Sequence, residues 1–159
     1  MSNVVIGVDP GTEKSAYAMF NGRDVLSFGV SDNEALRHHS IWEQQNVFME
    51  MIASYGMAVG ATTFETVYWI GRFVELAAIS GGKVTRVFRK DIKLHLCNSP
   101  RAKDANVRQA LIDRVGPQGT KKNQGPTYGV KSHEWAALAV AVYGYDMTFG
   151  RLANGKPPA

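Results

Sequence analysis

A chain of 159 residues, 45% hydrophobic, is the size of one domain with one core, and its single cysteine, Cys97, excludes an internal disulfide framework and a multi-cysteine zinc site. No apolar stretch approaches the roughly 20 residues of a membrane span, and the start "MSNVV" has no basic region followed by an apolar run. A soluble, cytoplasmic protein without a membrane partner is expected. The net charge of +4 is unevenly spread: residues 83 to 122 hold eleven of the eighteen Lys and Arg against three acids, so that segment carries +8 and the remainder −4. Such asymmetry points to a polyanionic partner, nucleic acid above all.

In chain order, "NVVIGV" (3–8) is an apolar run rich in β-branched residues, "SAYAMF" alternates small and large apolar side chains, and "VLSFGV" follows an "NGRD" turn. These predict three consecutive strands in an antiparallel meander. From Ile41 to Tyr55 the apolar residues Ile41, Phe48, Ile52 and Tyr55 recur at helical spacing, and "MAVGATTFE" (57–65) then reads as a short buried strand ending at Glu65. "VYWIGRFVELAAIS" is helical with Gly81 and Gly82 as its stop, and "KVTRVF" is a fifth strand. After a mixed stretch from Arg89 to Pro100, "KDANVRQALIDRVG" forms a short basic helix, and "GPQGTKKNQGPTYGVK" (116–131) a long loop of the kind that is more often functional than idle. "SHEWAALAVAVYGYDM" closes the order as a helix capped by Ser132, before a polar tail. The plan is α/β with a mixed central sheet.

Four side chains carry the chemical argument. Asp9 ends the first strand; an Asp before Pro-Gly also favours a turn. Glu65 ends an apolar run, where an unpaired carboxylate is costly to bury. Two acids on adjacent strand ends repel unless a cation lies between them, and hard oxygen donors suit magnesium, with manganese able to substitute. His133 and Glu134 stand in the first turn of the last helix, which is able to aim them at the same end of the sheet, although Glu near a helix start is also explained by the macrodipole. In phosphodiester chemistry, metal ions in such a set clamp the attacking water and the leaving oxygen.

"GVDPGTEKSAYAMF", "FETVYW", "RAKDANVRQALIDRVG" and "SHEWAALAVAVYGY" together resemble the RuvC-type Holliday junction resolvases of the ribonuclease H-like superfamily, and look closest to their bacteriophage branch. The resemblance implies a ribonuclease H-like fold over residues 1–150, with three antiparallel and two parallel strands flanked by helices, and a tail over 151–159. It implies a homodimer that cuts branched DNA with Mg2+, leaving a 5′-phosphate, and no nucleotide cofactor. Asp9 matches the first-strand catalytic aspartate, Glu65 the glutamate ending the fourth strand, and His133 the first ligand of the last helix. The second ligand of that helix, an aspartate, falls on Ala136; Glu134 is the nearest carboxylate, but one residue along a helix is a turn of about 100°. Tyr68 matches an aromatic that stacks on bases, with Trp69 and Arg72 beside it, though one of two adjacent helical aromatics packs inward as a rule. Arg101, Lys103, Arg108, Lys121, Lys122 and Lys131 would line the DNA path. Competing readings are a branched-DNA-binding protein without cleavage, suggested by Ala136, an RNA-cutting relative, and an actin-like or sugar-kinase phosphate-binding domain, suggested by the D-x-G-T turn.

Overall fold

The computed structural model describes residues 3–151, so the expected tail lies, from residue 152 on, outside the described residues. The strands are β1 (Val5–Asp9), β2 (Lys14–Phe20), β3 (Val25–Asp32), β4 (Val47–Met51) and β5 (Val84–Phe88). A short α1 (Asn33–Leu36) and a 3-10 turn (Ser40–Glu43) precede β4, followed by α2 (Ala61–Ile79), α3 (Arg89–Cys97), α4 (Asp104–Val115) and α5 (His133–Phe149). The sheet order is β3-β2-β1-β4-β5. β1, β2 and β3 pair antiparallel, whereas β4 runs parallel to both β1 and β5. No described helix is long and apolar enough to cross a membrane.

Alternation along the central strands sorts the side chains into two cores. Ile6 and Val8 of β1 and Val47 and Met49 of β4 face α2, together with Trp69, Ile70 and Phe73. Val5 and Phe48 face α5 with Leu138, Ala141 and Tyr145. α5 comes unusually near the sheet because both surfaces are small where they cross. A methyl group on Gly7 would stand 2.2 Å from the Ala137 carbonyl oxygen and 2.4 Å from the Ala141 nitrogen, and one on Gly144 would meet the Phe48 ring. The far side of α5 is covered by α3 and α4, which explains a helix apolar all round.

Near its other end, α5 is tied to both neighbours by one buried acid. Asp146 accepts two hydrogen bonds from the Arg114 guanidinium of α4, at 2.8 and 3.0 Å, and lies 2.8 Å from Nε2 of His95 on α3. Burial pushes the Asp146 carboxyl up, but these bonds outweigh it and hold the group below the usual carboxylate range.

The structure corrects two expected elements. The helix expected from Ile41 to Tyr55 is the 3-10 turn followed by β4, and the strand expected over 57–65 is loop and the first turns of α2. β4 is a central strand between two parallel neighbours, so Val47, Phe48 and Met49 are all buried and show no two-residue alternation in sequence. The β-branched "ATTFET" suits a strand by propensity, yet Thr66, Ile70, Phe73 and Ala77 form a helical stripe into the core, and the Thr66 hydroxyl is satisfied by the Thr62 carbonyl at 2.9 Å. The five-stranded mixed sheet stands as expected, as does the loop at 116–131. Thr127 Oγ1 pins that loop by donating to the Gly116 carbonyl.

Gly7→Ala should therefore push α5 off the sheet and cost about 1–3 kcal/mol, as overpacking does, which thermal unfolding followed by circular dichroism would register as a lowered Tm.

Candidate metal and nucleic-acid site

Parallel register builds the site. Val8 of β1 is level with Met49 of β4, so the next residues, Asp9 and Glu50, stand side by side at the strand ends. Both follow by two residues a position that faces α5, Gly7 and Phe48, and their carboxylates share that face. The turn after Asp9 is fixed by a buried polar chain: Ser15 Oγ donates to Asn33 Oδ1 at 2.6 Å, and Asn33 Nδ2 donates to the Gly11 carbonyl at 2.9 Å. The close approach of α5 delivers His133 from its first turn, with Nδ1 3.0 Å from Asp9 Oδ2.

The two acids are mostly buried, each side chain about 14% exposed. Burial raises the Asp9 carboxyl, opposed chiefly by His133. Burial pushes Glu50 up to about 7; Arg89 opposes this, and the neighbouring charge of Asp9 adds to it. Arg89 Nε lies 3.1 Å from Glu50 Oε1.

Glu50 and His133 line a cleft of about 330 Å³, which Asp9 adjoins through its contact with His133. Its walls are the first turns of three helices: Arg89 and Lys93 of α3, Asp104 and Arg108 of α4, His133 and Ala136 of α5. Three helix N-termini and three basic side chains make this a setting for a phosphate, next to two acids that would welcome a cation. Two carboxylates and an imidazole are a donor set that a hard divalent ion accepts, and burial raises both carboxyls. Among the described residues no group of three or more His, Cys, Asp or Glu side chains is arranged so that it could hold a metal ion, and His133 and Asp9 are hydrogen-bonded to each other; what fits the ion is the chemistry of the donor set alone.

Of the residues singled out by sequence, the structure brings together Asp9 and His133, and it places Arg108 on the cleft wall over the Trp135 ring. It does not bring Glu65 there. Glu65 is an exposed residue of α2, on the layer opposite the acid pair, and the acid ending the fourth strand is Glu50. Glu134 is also turned away: its buried carboxylate accepts the Lys131 amide at 2.9 Å, as a helix-start cap does. The 100° step from the cleft-facing side of the helix was the signal for this. Trp69 is core, packed on Phe73. Tyr68 is exposed on α2, and Arg72 lies over Trp69 and pairs with Glu34 at 3.6 Å. With Glu50 as the strand-end acid, the first aromatic after it is Tyr55, 62% exposed. Arg101, Lys103, Lys121, Lys122 and Lys131 are all solvent-exposed.

Superposed on solved structures, the chain is similar over its whole length to Thermus thermophilus RuvC: 18% identity, 98% of this chain and 99% of that one covered, TM-score 0.68. This is the RuvC fold. A second structure, T. thermophilus RuvC in complex with Holliday junction substrate, matches at 20% identity with the same coverage and a TM-score of 0.67. No protein-family model matches the chain, and no curated protein matches it by sequence.

Glu50 keeps its proton to about pH 7 in the folded protein, against an ordinary value of 4.5, so stability without metal should fall as pH rises through that window. Glu50→Gln removes the loss. In EDTA at pH 8 it should unfold at a higher temperature than the wild type, by roughly 1–3 kcal/mol, with the gap shrinking several-fold at pH 5; equal melting at both pH values would contradict the assignment. Glu134→Gln, which keeps an acceptor for the Lys131 amide, should leave both folding and Mn2+ binding near wild type, the latter read by electron paramagnetic resonance.

Proposed function

We propose that this chain is a divalent-metal-dependent, structure-selective DNA endonuclease, a Holliday junction resolvase that hydrolyses phosphodiesters in four-way or other branched DNA. The observation that carries the reading is the pair of strand-end carboxylates, Asp9 and Glu50, with His133 on Asp9 and with Glu50 and His133 lining a basic cleft at three helix N-termini. The RuvC fold supports it, since one similar structure is RuvC with Holliday junction substrate. The resemblance to phage resolvases supports a task in recombination or phage DNA processing.

Asp9, Glu50 and His133 are the residues that would hold the cation. Mg2+ or Mn2+ bound there supplies acidified water and neutralises charge on the phosphate. Lys93 and Arg108 draw the phosphodiester into the cleft, while Arg101, Lys103, Lys121, Lys122 and Lys131 contact neighbouring phosphates and set position rather than sequence. Tyr55 and Met57, exposed on the loop after Glu50, offer surfaces for unpaired bases at a branch point. A homodimer would match the two-fold symmetry of a junction, and α2 leaves Phe64, Val67, Tyr68 and Ile79 exposed for a second copy.

One observation favours a second reading, junction binding without cleavage. Ala136 faces the cleft where the family carries an aspartate, and Glu134 does not replace it.

Cleavage of an end-labelled four-way junction beside a linear duplex, with Mg2+, Mn2+ or EDTA, separates the two readings. Paired, metal-dependent nicks in the junction alone are expected. Asp9→Asn and Glu50→Gln should abolish nicking and keep junction binding, whereas Glu65→Gln should cut normally. Tight binding without nicks in either metal would establish the second reading. Replacing Lys121 and Lys122 with Ala should weaken binding to every DNA form and lower the salt slope by up to about 2; an unchanged slope would remove that loop from the interface.

A further inference from the structure

We infer that Arg89 is the resident counter-ion of the acid pair, competing with the divalent cation for Glu50 and turning to the phosphodiester once displaced. The inference rests on the proposed function and concerns a residue that the sequence reading left outside the site.

The register of the sheet carries the argument. Glu50 of β4 is level with Val87 of β5, and two residues on, past the strand end, the chain enters α3 with Arg89. Its side chain therefore starts beside Glu50 and at the mouth of the cleft. Nε is 3.1 Å from Glu50 Oε1, and Nη1 is 3.8 Å from Oδ1 of Asp104, across the cleft on α4. Lys93 shares that second acid at 3.7 Å. The guanidinium is thus strung between the acid pair and a more exposed carboxylate that already has another cation. Half of its side chain is open to solvent, and only one of its nitrogens lies close to a carboxylate oxygen.

Three physical consequences follow. A guanidinium does not lose its proton, so its positive charge stands beside Glu50 at any working pH and opposes the burial that raises that carboxyl. Its positive charge stands about 3 Å from an oxygen that a divalent ion would need, so it must withdraw when the ion binds, and metal affinity is lowered by the energy of that contact. Withdrawn, it stays tethered at the cleft wall, where its planar fork suits a phosphate bidentately. Metal loading and phosphate capture are then coupled, since each frees what the other needs.

The test compares Arg89→Gln and Arg89→Lys with the wild-type protein, in two measurements. Mn2+ titrated into the full-length protein without DNA, followed by electron paramagnetic resonance, should bind Arg89→Gln at least about fivefold tighter than wild type, because a cation has been removed from the ligand. Arg89→Lys, which keeps the charge, should stay within about twofold. At saturating Mn2+, both variants should cut a four-way junction at least about tenfold more slowly, through kcat rather than KM, because the fork is lost. Equal or weaker Mn2+ binding by Arg89→Gln would overturn the competition, and an unchanged kcat in both variants would overturn the phosphate role. If the wild-type protein binds no Mn2+, the metal-dependent function itself fails, a result distinct from either of these.

Discussion

Two carboxylates held side by side at the ends of parallel strands are the constraint to which this end of the molecule answers. Asp9 and Glu50 are placed by backbone register and cannot move apart without breaking the β1–β4 ladder. Burial lifts both above the usual carboxylate range, and the charge of Asp9 adds to the rise at Glu50. The surroundings supply partial compensation: an imidazole on Asp9, a guanidinium on Glu50, and helix N-termini around the cleft. None of these brings both carboxyls back to their ordinary range.

Holding those helix starts in place is a packing problem solved elsewhere. Gly7 and Gly144 let α5 lie against the sheet, and this sets how far His133 reaches over Asp9. At the opposite end, Asp146 joins His95 of α3 and Arg114 of α4, so three helices whose first turns line the cleft are fastened near their last turns by one acid. Removing one member of such a buried group leaves the others unpaired, typically at a cost of about 3–5 kcal/mol. The site thus depends on contacts a full helix length away.

The meeting of Asp9 with His133, and the placing of Arg108 on the cleft wall, were legible because their signals are local: an acid closing an apolar β-branched run, a polar pair opening an apolar helix, and a lysine- and arginine-rich segment. Glu50 was not. It lies inside "NVFMEM", a strand buried on both faces, where the acid interrupts neither an alternation nor a turn. Glu65, in "TTFE", carried the apparent signal instead, because threonine and phenylalanine favour strands when nothing packs against them. The helical stripe Thr66, Ile70, Phe73 and Ala77 overrides that preference by burial. Arg89 went unmarked for a related reason, since its partner was hidden.

By itself the sequence determined the α/β plan, the antiparallel meander, the position of the last helix and the basic charge of residues 83–122, all of which follow from periodicity and composition over short windows. Tertiary structure alone decided which acid stands beside Asp9, that Glu134 turns back to cap its helix, and that Arg89 closes on Glu50. Those outcomes depend on the register between strands that are distant in the chain and on the rotation of a helix about its axis. Neither quantity is written in local residue preferences.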